Sequence, residues 1–183
     1  MTAIVVSGFG RCGSSLVMQM LAAGGVPCIG DYPAFEGRDA VQPGQAVKIL
    51  DPHRPDPIPY EIPAGARVIW VERDAHEQIA SHDKFLRALT GLGYDRASRR
   101  RAVASIAKDR AAGMRAIAGR PLLVLRFEDV LAHPEHEALR IGLFVGVPFD
   151  SQRAARQVLH RGPRCEPDMA IELRLMARRA EAA

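Results

Sequence analysis

The sequence predicts a three-layer α/β fold, with a central parallel sheet flanked by helices, and three observations carry that expectation. Short apolar runs at residues 4–8, 47–50, 67–72 and 121–127 have the length and composition of buried strands. Segments with helical start and stop signals separate them, as crossovers between parallel strands require. The 183 residues, 48% hydrophobic and 25% charged, suffice for one core without disulfide or metal staples, so residues 1–183 read as a single domain.

The elements follow in order. Ile4-Val5-Val6-Ser7-Gly8 is a strand that enters a Gly-rich turn, and residues 14–23 form a helix stopped by Gly24-Gly25. Residues 26–46 are a long Gly/Pro loop of the kind that often carries function. After the strand at 47–50, Pro52, Pro55, Pro57, Pro59 and Pro63 enforce an extended connection. The run RVIWVE at 67–72 is a buried strand, followed by a helix over about 74–89 and a turn at Gly91 and Gly93. An arginine-rich helix spans about 95–118, residues 121–127 form a strand, and Pro134 opens a helix ending near Val145. A last helix pair is expected over 151–160 and 167–182.

The turn after the first strand holds the strongest chemical signal. Glycines at 8, 10 and 13 let backbone N–H groups converge, the next helix points its positive end at the same spot, and Ser14 and Ser15 add hydroxyls. The guest is a phosphate or sulfate; the competing reading is a Gly-rich turn that binds nothing. Gly8-x4-Gly13-Ser14-Ser15 nearly spells the nucleotide-binding G-x4-G-K-[ST] motif, but Ser14 stands where the lysine belongs and Arg11 supplies a cation earlier. An ATP or GTP hydrolase needs that lysine with magnesium, so another anionic donor is favoured and a small-substrate kinase is the lesser alternative. A third alternative is a nucleotide-binding or adaptor protein that kept the cradle without chemistry.

A second constellation follows the RVIWVE strand. Arg73 leaves a strand end, and Ser81, eight residues on, is a little over two helical turns away on a face that can look back to the same crevice. Together they can grip one phosphate, or they are an ion-pair partner of Asp74 or Glu77 and a surface serine.

Composition narrows the rest. No apolar run approaches the roughly 20 residues of a spanning helix and no signal peptide is visible, which predicts a cytoplasmic protein without a membrane partner. Cys12, Cys28 and Cys165 are too scattered for a disulfide framework or a metal site; Cys12, at a helix N-terminus, is either a reactive thiol or a small residue filling a tight turn. His133-x2-His136 has loose metal-like spacing but flanks a Pro-started helix, so helix-end surface residues are expected and no metal is. The cations gathered in residues 96–115 lack interleaved aromatics, so an acidic ligand or a solvated face is favoured over nucleic acid.

The order of pieces, GFGRCGSSLVMQML, AVKIL, VIWVERDAHEQIASH and LRFEDVLAHPEHEALRIGLFVGVPFD, resembles the sulfotransferases with a P-loop-type fold that use 3′-phosphoadenosine 5′-phosphosulfate (PAPS). The resemblance covers about residues 3–150. It implies that Gly10, Arg11, Cys12, Gly13, Ser14 and Ser15 hold the 5′-phosphosulfate. Arg73 and Ser81 would hold the 3′-phosphate, with Ala75 in place of the family's usual proline. Phe127-Glu128-Asp129-Val130 and Phe144-Val145-Gly146-Val147-Pro148 match two further family segments.

The implied activity is metal-free, in-line transfer of a sulfuryl group from PAPS to a hydroxyl or amine of a small molecule or glycan. Arg11 and Lys48 would stabilise the charge in transfer, and Glu36 is the first candidate base, with Asp51 and His53 in reserve. The family's Lys-Thr-His run is reduced here to Val47-Lys48-Ile49-Leu50, and its C-terminal glycine-rich lid survives only as Arg161-Gly162 with Arg164. Tyr32, Phe35, Tyr60, Phe85 and Tyr94 either line the acceptor pocket or belong to the core. The arginine-rich helix and the last helix could each cover a partner copy, leaving an oligomer possible.

Overall fold

The structure, a computed structural model, describes residues 1–37, 39–54 and 61–165. Four strands, β1 (Ile4–Gly8), β2 (Ala46–Leu50), β3 (Arg67–Glu72) and β4 (Leu122–Arg126), form an all-parallel sheet in the order β2-β1-β3-β4. The chain steps from β1 to one side and returns to the other, so the carboxyl end of β1 is the switch point where such sheets open a crevice.

Both faces of β1 are buried, which is why IVVSG is a continuous apolar run rather than an alternating one. Ile4, Val6, Ile69, Val71 and Leu125 face one layer, made by α1 (Ser14–Ala23), α4 (Phe127–Ala132), α5 (Pro134–Val145) and α6 (Ser151–Ala155). Val5, Val47, Val68 and Trp70 face the other with Ile117 and Met114 at the foot of α3 (Arg96–Ala116). Gly113 lets α3 settle on the Trp70 ring: a Cβ there would lie 2.6 Å from it.

Helix α2 (Ala75–Thr90) packs against α3. Asp74 caps α2 by accepting from the N–H groups of His76 and Glu77, and Asp95 caps α3 through Ser98 N–H, as their positions before the helices suggest. Gly91 ends α2 in the left-handed conformation.

Four expectations need correction. The strand expected over 121–127 stops at Arg126, because Phe127 turns its ring into the core beneath Gly13 and Glu128 and Asp129 suit the first turn of a helix, α4. The helix expected over 151–160 ends at Ala155: residues 157 and 158 close i to i−3 bonds that tighten its last turn, and Val158 drops into the core. At Pro52 the chain makes a turn instead of an extended run, with Asp51 at φ 49° and Arg54 N–H donating to Asp51 O at 2.8 Å. The second strand starts one residue earlier than expected, at Ala46, which pairs with Ile4. The last expected helix, Tyr60 and the expected extended connection at Pro55, Pro57 and Pro59 lie outside the described residues.

Candidate functional site

The crevice at the end of β1 is built first from glycine. Gly13, at φ 106°, leaves no room for a side chain, since a Cβ would stand 2.3 Å from the Phe127 ring. Gly8 is equally closed in by Val71 O at 2.6 Å. Between them the loop folds on itself through Cys12 N–H to Phe9 O, 3.1 Å, and places Arg11 at φ 68°. Gly13 is the N-cap of α1, so no side chain caps the helix at its crevice end.

Cys12 presents backbone here, not chemistry. Its side chain is 1% exposed with Sγ under Gly8, and burial raises the thiol pKa despite the hydrogen bonds from Ser14 that oppose the shift. The reactive-thiol alternative is therefore overturned: desolvation of a thiolate outweighs the helix N-terminus.

Lys48 reaches the loop from the neighbouring strand. Parallel register pairs Val6 with Lys48, which turns the lysine to the α1 side of the sheet. Its side chain, 4% exposed, extends to Ser15 Oγ at 3.3 Å, Ala34 O and Glu36 Oε1 at 3.2 Å. The exposed strand-end lysine considered as an alternative is not what the fold makes. Glu36 itself is 74% exposed, so this carboxylate stands between a buried ammonium and solvent. The loop that carries it is fixed by Gln19 Nε2 donating to Pro33 O at 2.9 Å and by burial of Phe35.

Arg73 and Ser81 converge on the same loop from the other side. Ser81 is 3% exposed and its Oγ accepts from Arg11 Nε at 3.1 Å, so it is no surface serine. Arg73 is 5% exposed; it donates to Arg11 O at 3.4 Å and Pro163 O at 3.2 Å, while its guanidinium lies 4.6 Å over the Phe127 ring. Its Nε is buried without a hydrogen-bond partner. Burial pulls its pKa down, opposed by the charges of Glu128 and Glu77 nearby. Neither Asp74 nor Glu77 pairs with it: Asp74 caps α2, and Glu77 Oε2 accepts from Cys165 N–H at 2.6 Å.

That last contact draws residues 161–165 across the crevice. Arg161 lies 5.3 Å from the centre of the Phe127 ring and Pro163 O accepts from Arg73, so the faint C-terminal echo lies at the site despite being 90 residues away in sequence.

The two reserve bases lie in the loop that follows β2. Asp51 N–H donates to Gly8 O at 2.9 Å, and burial raises its carboxyl pKa. His53 Nε2 is 3.7 Å from Asp109 Oδ1, with its ring edge-on to Phe9. Of the aromatic candidates, Phe35 is core with Tyr32 packed against it, whereas Phe85 underlies Arg11 at 5.3 Å and Tyr94 bonds His82 Nδ1 at 2.8 Å. His133 holds the N-cap position of α5 without a side-chain capping bond, and His136 contacts Glu137 at 2.9 Å.

Three contributors escaped sequence reasoning. Gln78, 2% exposed, donates to Gly10 O at 3.0 Å and pins the loop backbone. Phe127 supports Arg73 by cation–π contact, and Glu128 Oε1 holds Asp74 N–H at 2.8 Å. The spacing 74, 78, 81, 85 is one helical stripe and would have revealed Gln78.

No protein-family model matches this sequence, and no curated protein matches it. Solved structures do. Mouse sulfotransferase SULT7A1, complexed with PAP, aligns with a TM-score of 0.58 at 10% identity over 85% of this chain and 62% of that one. The sulfotransferase domain from the curacin biosynthetic pathway aligns with a TM-score of 0.59 at 12% identity over 92% of this chain and 80% of that one. This chain thus spans less than two thirds of the length of the mouse protein. Its four-stranded parallel sheet, with helices on both faces, has the fold of the sulfotransferases.

Proposed function

We propose that this protein is a sulfotransferase that moves a sulfuryl group from PAPS to a hydroxyl or amine of a small molecule or glycan. The observation that carries the reading is Arg73: a buried guanidinium with a spare N–H, bonded only to carbonyls, beside an uncapped helix N-terminus. The mouse neighbour with PAP bound supports a 3′-phosphorylated ligand of this type.

The residues present fit such a donor. Arg73 and Ser81 would hold the 3′-phosphate, and Arg11, the amides of residues 8–15, Ser14 and Ser15 would hold the 5′-phosphosulfate. In the reaction the acceptor oxygen or nitrogen bonds to sulfur as the bond from sulfur to the 5′-phosphate oxygen breaks. Lys48, desolvated and 3.3 Å from Ser15 Oγ, neutralises charge gathering on that oxygen, a role that fixed cations fill without reorganising. Glu36, 3.2 Å from Lys48, takes the acceptor's proton.

The test is conversion of PAPS to PAP, followed by chromatography with a panel of hydroxyl and amine acceptors. Acceptor-dependent release in the wild type, lost in Lys48→Met, is the expected result. Release that ignores acceptor and substitution alike would refute the proposal.

A further inference from the structure

The Lys48 ammonium has three N–H donors, and the fold supplies three acceptors: Ser15 Oγ at 3.3 Å, Glu36 Oε1 at 3.2 Å and Ala34 O. Ser15 gives its own proton to the same carbonyl, with Oγ 3.3 Å from Ala34 O. One backbone oxygen thus takes hydrogen bonds from both Lys48 and Ser15, which the sulfotransferase reading sets on the 5′ end of the donor. With the Lys48 side chain 4% exposed, no outside group reaches its Nζ while residues 34–36 stay where they are.

The covering segment is held along its inner edge and open along its outer one. Gln19 Nε2 donates to Pro33 O at 2.9 Å and Phe35 is buried beside Tyr32, while Ala34 and Glu36 are exposed. At its base, Gly30 lies so near the returning chain that a Cβ there would stand 2.7 Å from the Phe35 carbonyl carbon and 2.8 Å from Glu36 N. The closed arrangement also carries two costs. Phe35, a bulky residue, sits at φ 54°, and Gln19 Oε1 is buried with no hydrogen-bond partner among the described residues. Lifting the segment frees the Phe35 backbone and lets water reach Gln19.

A phosphate or sulfuryl oxygen needs from Lys48 and Ser15 the same bonds that Ala34 O holds, and it brings the negative charge that a carbonyl lacks. We propose that residues 33–36 are a plug over Lys48 and Ser15, and that the 5′ end of the donor displaces it by replacing Ala34 O. This rests on the sulfotransferase reading and adds a step to it: donor entry uncovers Lys48 and moves Glu36, the base on the same segment, in one event. The affinity measured for a donor is then its intrinsic affinity scaled down by the fraction of molecules with the plug lifted.

Gly30→Ala tests this, because the added Cβ strikes the backbone of the closed segment and none of the groups assigned to the donor. A cooperative thermal melt first shows that the variant is folded. Acetylation of Lys48 by N-hydroxysuccinimidyl acetate, followed by peptide mass spectrometry with the exposed Lys108 as reference, is then compared between variant and wild type without ligand, and PAP is titrated calorimetrically into both. Lys48 should react about fivefold or more faster in the variant, and PAP should bind it about fivefold or more tighter.

Equal Lys48 rates would overturn the plug, as would unchanged or weaker PAP binding where both proteins bind it. A wild type that binds no PAP would remove the donor reading, and the Lys48 rates alone would then decide the plug. Hydrogen exchange on the wild type gives a reading that needs no variant: saturating PAP should speed exchange at residues 34–37 while slowing it at residues 8–15. Slower exchange in both segments would mean that the loop closes on the ligand, and would overturn the proposal.

Discussion

Replacing Arg73 by Met removes one buried charge and keeps most of its bulk against Phe127. At 5% exposure, solvent screens this guanidinium little, and the spare Nε adds to the N–H groups now spent on Arg11 O and Pro163 O. A hydrogen bond to a charged group is worth about 1.5–3 kcal/mol, and at about 1.4 kcal/mol per factor of ten the loss for PAP is roughly 10- to 100-fold in Kd. The variant also leaves two carbonyls without their donor, which can loosen the loop for any ligand. Calorimetric titration of PAP and of adenosine 5′-phosphate separates the two effects. PAP should weaken by that factor and the ligand without the 3′-phosphate by less than about twofold. An equal loss for both, or none for PAP, would refute the assignment of Arg73 to the 3′-phosphate.

Other consequences are open to direct measurement. Lys48→Met should lower kcat by about 100- to 1000-fold, the cost of deleting one preorganised charge stabiliser, with PAP affinity changed far less; single-turnover kinetics would expose an equal loss in binding as a contradiction. Glu36→Gln should lower kcat by about 100- to 10,000-fold with PAP affinity kept, whereas an unchanged kcat would pass the role to another group. Gly13→Ala should cost about 1–3 kcal/mol from its φ of 106° and the Phe127 overlap, read as a lower midpoint in urea; an unchanged midpoint would show that the loop yields freely.

Asp51 sets a pH dependence. Burial raises its folded-state pKa above the ordinary 3.8, so the folded protein binds the proton more tightly and its stability falls as pH rises through the window above that value. Asp51→Asn should therefore be more stable than the wild type at pH 7, and that advantage should fade as the pH falls below the folded pKa. Denaturant melts at both ends would show the opposite trend if the carboxylate were stabilised in the fold.

Local chemistry made much of the fold legible in advance. The glycines at 8, 13, 24 and 91 fall at the turns they punctuate, and Asp74 and Asp95 mark the starts of their helices. Arg73, just past the end of β3, and Ser81, on α2, meet at the crevice as their eight-residue spacing allows. What stayed hidden depends on contacts between distant segments. Lys48 is buried because Val6 pairs with it across the sheet, a register that no short window contains. Residues 161–165 reach Arg73 and Glu77 through bonds spanning about 90 positions. Cys12 misled the local rule in a different way, since a helix N-terminus favours a thiolate only where the sulfur is not walled in by Gly8 and the core.

The central claim is that the crevice at the end of β1 is a site for a 3′-phosphorylated adenosine donor. It is tested most directly by titrating the wild-type protein with PAP in EDTA, and with ADP and ATP both in EDTA and with magnesium. The account predicts metal-independent binding of PAP at least about tenfold tighter than either competitor, since only PAP carries the phosphate that Arg73 awaits. Tighter binding of ATP with magnesium, or no heat from PAP at all, would contradict it.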